Sequence, residues 1–133
     1  MIVADTNLVV GALVAPAGDD AAARVRERDP AWVAPPLWAS EFRNVLATYV
    51  RTGRLSEAQA VRLWHAGRGL VESVVVDPLQ ALAVAFESGV SGYDAEFVAL
   101  ADALDVPLVT ADRRVREARP DRAVSPEAFA AGG

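Results

Sequence analysis

The chain has 133 residues, of which 53% are hydrophobic and 23% charged, with 18 acids, 13 bases and a formal net charge of −5. That describes one globular domain, spanning 1–133, and excludes a disordered chain. Cysteine is absent and every base is arginine, so disulfide scaffolds, thiolate metal sites and any mechanism built on a lysine are excluded as well.

Ile2 to Ala4 reads as a short buried strand ending at Asp5, and Asn7 to Val14 as one or two helical turns stopped by Pro16 and Gly18. The small residues from Ala12 to Ala17 imitate a cleavage region. The first base is Arg24, however, and Asp5 and Asn7 interrupt the apolar run, so no secretory segment is expected. With no cysteine and no apolar stretch near the roughly 18 residues of a membrane span, the expected location is cytoplasmic and away from the membrane. Asp19 is placed to cap a helix from about Asp20 to Arg28, and Trp32 and Val33 form a second strand before Pro35 and Pro36. A long helix runs from Leu37 to Arg51, its apolar positions Leu37, Phe42, Val45, Leu46, Tyr49 and Val50 recurring at helical steps.

Ser56 opens the next helix, with Gln59 completing a capping box, and Gly67 is the expected stop. Val74 to Val76 read as a strand, Leu79 to Glu87 as a helix closed by Gly89, and Tyr93 to Leu104 as another helix. Pro107 to Thr110 form a short strand, Arg113 to Ala118 a helix, and Ala123–Val124 a last strand before a helix at Ser125-Pro126-Glu127. Short all-apolar strands alternating with helices predict an α/β fold, a three-layer α/β/α sandwich around a short parallel sheet. Ligands of such sheets bind beyond the carboxyl ends of the strands. Asp5 and Asp112 both sit at predicted strand ends.

Each acid of interest has an ordinary structural explanation. Asp5, Asp94 and Asp112 occupy helix starts, where a carboxylate caps amides or meets the positive dipole end, and Glu41 is one glutamate of a long helix. Their joint pattern is more specific. An Asp-x-Asn follows the first strand, a Glu-x-x-Asn lies in the long helix, a Tyr-Asp-Ala opens a later helix, and a Thr-Ala-Asp follows a later strand. Other acids are less well placed. Asp102 lies eight residues beyond Asp94, about 12 Å further along one helix. Glu96 is turned away from Asp94, and Asp19, Asp20, Glu57 and Asp77 read as caps or solvated faces. His65, the only histidine, is remote from every motif.

Four segments carry a resemblance to a known family. They are Val3-Ala4-Asp5-Thr6-Asn7, Ser40-Glu41-Phe42-Arg43-Asn44-Val45-Leu46, Tyr93-Asp94-Ala95 with its helix to Leu104, and Pro107 through Arg114. In order and spacing the chain resembles a PIN domain, in particular the VapC toxins of VapBC toxin–antitoxin pairs. The resemblance implies a metal-dependent endoribonuclease. Asp5, Glu41, Asp94 and Asp112 match the family's acidic quartet, and Asn7 and Thr110 match its polar companions. Asp105 stands where many relatives carry glycine. A cognate VapB-type antitoxin, an RNA substrate and a homodimer are implied in the same way.

Packed carboxylates repel one another and take up protons unless a counter-charge intervenes. A divalent cation with a preference for hard oxygen, Mg2+ or Mn2+, resolves that conflict and acidifies water for attack on a phosphodiester. Arg43 and Arg51 on the long helix and Arg113, Arg114 and Arg116 after Asp112 read either as solvated faces or as a phosphate-gripping rim. Trp32, Trp38 and Trp64 read as core or interface residues. Two alternatives stand beside the toxin: a catalytically degenerate PIN-fold binding module, and a phosphotransfer or phosphatase domain, whose usual lysine is missing here.

Overall fold

Strands of two or three residues cannot stand alone; they persist only when neighbouring strands and covering helices support them. In the computed structural model, which describes residues 1–14 and 20–132, β1 (Ile2–Ala4) lies at the centre of such an arrangement. It is flanked by β2 (Trp32–Ala34) on one side and β4 (Leu108–Val109) on the other, with β3 (Val71–Ser73) and β5 (Ala123–Val124) at the edges. All four pairings are parallel, in the order β3-β2-β1-β4-β5. The chain builds outward from β1 through β2 to β3, then returns to place β4 on the opposite side of β1. The order of strands therefore reverses between β1 and β4, where an open parallel sheet leaves a crevice.

The helices are α1 (Thr6–Leu13), α2 (Ala21–Arg28), α3 (Leu37–Arg51), α4 (Glu57–Leu70), α5 (Pro78–Ser88), α6 (Gly92–Leu104), α7 (Arg113–Ala118) and α8 (Pro126–Ala130). α1 packs on α2, α3 and α4, whereas α5 packs on α6 and α6 on β1 and β4. This is the sheet flanked by helices that the alternating pattern predicts. α6 buries Ala95 and then Phe97 through Ala101 without a break, the composition of a helix covered nearly all round. α3 instead buries one row, Trp38, Phe42 and Leu46, and keeps the next row half-buried.

Two sequence expectations need correction. The third strand is Val71–Ser73, not Val74–Val76, and α4 runs on to Leu70 instead of stopping near Gly67. Gly67 is buried inside the helix, and a Cβ there would lie 2.8 Å from Cε2 of Phe42. The glycine admits a neighbouring ring; it does not end the helix. With the helix extended, Val71 to Ser73 pair with Trp32 to Ala34, Val74 makes one more bond to Ala34, 2.9 Å, and Val75 is left 83% exposed. The β-branched run looked like a strand, but the reach of β2 decided which residues pair. The expected stop at Pro16 and Gly18 and the expected cap at Asp19 lie outside the described residues. Asp105 closes α6 with a left-handed φ of 54°, a conformation aspartate tolerates better than most residues. None of the described helices is long and apolar enough to cross a membrane.

Candidate active site

β1 ends at Asp5 and β4 at Thr110, so the strand reversal sets these two side chains beside each other. Thr110 Oγ1 donates to Asp5 Oδ2 at 2.6 Å. The Asp5 Oδ1 accepts the Thr6 amide at 2.8 Å and so caps α1. The capping explanation of Asp5 is thus correct for one oxygen and says nothing of the other. The Thr110 hydroxyl also accepts the Asp112 amide, 3.0 Å, and Asn7 Nδ2, 3.2 Å. One donated and two accepted bonds use its full capacity, so its orientation is fixed. Asn7 spans the same gap from the other side, its Oδ1 accepting the Ala111 amide at 3.0 Å. Asp112 caps α7 through the Arg114 amide, 2.9 Å.

Glu41 reaches this corner from α3. Its Oε1 accepts the Thr6 hydroxyl at 2.7 Å. Thr6 is buried, and sequence reasoning did not single it out. The only signal was its place between Asp5 and Asn7, where alternation along an extended chain would have turned it away. Because α1 begins at Thr6, its hydroxyl points toward α3 instead. Asp94 enters from the start of α6. Ser91, not Asp94, caps that helix by accepting the Asp94 amide, 3.0 Å, which leaves the Asp94 carboxylate free of capping duty.

Asp5, Glu41, Asp94 and Asp112 together line one open cavity of about 880 Å³. No arginine side chain is hydrogen-bonded to any of the four among the described residues. The cost shows in their proton affinities. Burial pushes the Asp5 carboxyl up to about 6 against the Thr110 and Thr6 hydrogen bonds, and the charges of Asp94 and Glu41 add to the rise. Burial likewise raises Glu41 against its Thr6 hydrogen bond, with Asp94 and Glu96 adding repulsion. It also raises Asp94, where the charge of Asp112 adds to the rise and Ser91 and the charge of Arg114 partly offset it. Glu96 is therefore nearer the site than its turn from Asp94 implied, although it lines a separate cavity beside Val76 and Leu82.

These oxygens suit a hard divalent cation by chemistry and by charge. Among the described residues no three carboxylate or imidazole groups stand close enough to enclose an ion by themselves. A cation held here would take few protein ligands and keep several waters, as magnesium does. The remaining residues singled out in the sequence lie elsewhere. His65 is exposed on α4. Asp102 is taken up by Arg119 and Arg122. Trp38, Phe42 and Trp64 stack together, with ring centres 6.0 to 6.4 Å apart. Arg113 pairs with Glu117, and Arg116 donates to the Thr110 carbonyl.

Three solved structures share this architecture. The structure of PAE2754 from Pyrobaculum aerophilum superposes with a TM-score of 0.78 at 23% identity, covering 98% of this chain and 93% of that one. A toxin–antitoxin complex from Klebsiella pneumoniae (0.71, 16% identity) and FitAcB from Neisseria gonorrhoeae (0.71, 18% identity) each cover 95% of this chain and 98% of theirs. Comparison with curated proteins produced no match. At such identities these likenesses establish the fold. The PIN domain family matches residues 2–119, nearly the whole of the described sheet and every residue of the acidic cavity, and the chain belongs to that family.

Proposed function

We propose that this chain is a metal-dependent endoribonuclease and the toxin of a VapBC-type toxin–antitoxin pair. The observation that supports it most is the cavity where Asp5, Glu41, Asp94 and Asp112 come together with no hydrogen-bonded guanidinium among the described residues, and where Asp5, Glu41 and Asp94 have raised proton affinity. A fold that only needed capping residues would not accumulate that repulsion. Family membership supports the nuclease reading over a phosphotransfer domain, and the neighbour solved as a toxin–antitoxin complex supports a VapB-type partner.

In this reading Asp5, Glu41, Asp94 and Asp112 hold Mg2+ or Mn2+, directly or through water. The ion supplies a polarised phosphodiester and a more acidic attacking water. The chain's own residues set the geometry. Thr110 and the Thr6 amide fix both oxygens of Asp5, and the Thr6 hydroxyl fixes one oxygen of Glu41. Asn7 ties the end of β1 to the turn after β4. Orientation of this kind is what holds reacting groups within catalytic tolerance.

A homodimer in the cytoplasm completes the proposal. Leu79, Leu82 and Phe86 form an exposed apolar row on α5, with Val75 beside it. Between Asp77 and Glu87 the helix carries no charge, so a second copy of a chain at −5 can approach there with least repulsion. The test is cleavage of single-stranded RNA by the purified chain with Mg2+ or Mn2+, with EDTA, and with Asp5→Asn. Cleavage that survives EDTA, or an Asp5→Asn variant as active as wild type, refutes the mechanism. Calorimetric titration with Mn2+ separates the enzyme from a degenerate binding scaffold, which would take up none. Light scattering reads the dimer, and Phe86→Glu should dissociate it.

A further inference from the structure

The acids occupy one end of a cavity far larger than a cation and a phosphate need. The rest is walled by the outer side of α3, where two rows of side chains run parallel. Glu41, Val45 and Tyr49 follow one another at four-residue steps, and Ser40, Asn44 and Thr48 do the same beside them. Each step is about 6 Å along the axis, so Tyr49 lies about 12 Å beyond Glu41. Beyond Glu41 one row continues through an aliphatic side chain to an aromatic ring; the other is uncharged and rich in hydrogen-bonding groups. A nucleobase has the matching pair of features, a flat apolar face and an edge of donors and acceptors.

Two details favour RNA over a peptide as the occupant. The Asn44 side chain is exposed and makes no hydrogen bond among the described residues, so both its donor and its acceptor are available. Among the described residues no arginine lines the cavity itself, but three are held against residues of this wall or its helix. Arg43 donates to Ser40 at 3.1 Å while resting over the Trp64 ring, Arg51 donates to Thr48 at 3.1 Å, and Arg54 lies 5.1 Å over the Tyr49 ring. Two guanidinium groups bonded to the polar row and a third over the aromatic end of the other suit a phosphate backbone.

We infer that the α3 surface formed by Asn44, Val45, Thr48 and Tyr49 is a base-selective subsite that holds an unpaired nucleobase one or two nucleotides from the scissile phosphate. This rests on the nuclease reading above. Tyr49 stacks on the base, Asn44 and Thr48 meet its edge, and Arg43 and Arg51 meet the adjoining phosphates.

The experiment uses a pool of 5′-labelled single-stranded RNA heptamers with each base varied in turn. Cleavage sites are sequenced for the wild type, Asn44→Ala, Tyr49→Ala and Tyr49→Phe, and binding is followed by anisotropy in the Asp5→Asn background. Asn44→Ala should flatten the preference for one base at a fixed distance from the cut. Tyr49→Ala should weaken binding about ten-fold, the loss of one stacked base, while Tyr49→Phe retains it. Asn44 is exposed, so its variant reports on recognition and not on folding. An unchanged cut-site pattern together with unchanged affinity overturns the subsite and leaves the nuclease standing. Base-dependent binding that Asn44→Ala abolishes, in a chain that cuts no RNA, upholds the subsite and overturns the nuclease. If the variants leave RNA untouched and instead release a co-purified protein partner, the surface binds a peptide and the inference is wrong.

Discussion

The molecule handles its acids in two opposite ways. In the last turn of α6, Asp102 receives Arg119 through two bonds of 2.9 Å and Arg122 through a third. Arg119 also holds Asp121, and Arg122 holds Asp105. There the hydrogen bonds lower the Asp121 carboxyl and raise Arg119, so each charge steadies the others. At the near end of the same helix Asp94 faces Asp5, Glu41 and Asp112 with no hydrogen-bonded base, and three of the four have raised proton affinity. The chain has arginines to spare and pairs them where shape is at stake. Among the described residues no arginine lines the cavity, so in the reading proposed above its counter-charge is left to a bound cation.

The comparison breaks most sharply if the cavity acids can be neutralised at no cost to activity. Asp5→Asn removes the carboxylate at the centre of the set and should lower RNA cleavage at least about a thousand-fold, since cation-based charge stabilisation is worth several kcal/mol. Single-turnover cleavage with Mn2+ measures it.

Next in size is a stability effect of opposite sign. The Asp5 carboxyl titrates near 6 in the folded chain and near 3.8 when unfolded. The folded state therefore binds its proton more tightly. The stability this contributes is complete below pH 4, falls as pH rises from 4 to 6, and is gone above 6. A shift of that size corresponds to about 3 kcal/mol as an upper bound. Urea unfolding in EDTA should show wild type losing stability relative to Asp5→Asn across that window. Adding Mn2+ at pH 7 should restore it to wild type alone. Equal slopes for the two proteins would mean that the cavity acids are not strained.

The paired region predicts the converse. Arg119→Ala leaves Asp102 with one guanidinium in place of two. Arg119 and Asp102 are 21% and 27% exposed, so solvent replaces part of the loss, and destabilisation of about 1–2 kcal/mol is expected. RNA cleavage at 25 °C should be unchanged, because nothing in this network reaches the cavity. A loss of cleavage larger than the loss of folded protein would show that α6 couples its two ends.

Much of this division could be read in the sequence. The alternating pattern gave the parallel sheet, and strand ends gave Asp5 and Asp112 as places to look, because such sheets bind ligands at their carboxyl edges. The third strand was misplaced because Val74-Val75-Val76 carries local β-propensity, whereas pairing with β2 is a long-range decision. The Asp102 pairs were invisible for the same reason: Arg119 and Arg122 come from a turn whose direction depends on where β5 docks. Glu96 was set aside and Thr6 passed over by rules of spacing that treat one element at a time.

Thr6 gives the smallest effect and the finest test. Its hydroxyl donates to Glu41 across the gap between α1 and α3, and its amide donates to Asp5. Thr6→Val keeps the shape and the amide but removes the bond to Glu41, leaving that carboxylate free to rotate. If the four acids work as one set, misorienting Glu41 should cost about ten-fold in kcat, comparable to the loss of an outer partner at a metal site. Thr6→Ser, which restores the hydroxyl, should recover most of it. A merely structural role predicts something different: both variants would change the unfolding midpoint and neither would change kcat. The ratio of the two kcat values therefore tells whether the threonine holds the fold together or aims a carboxylate.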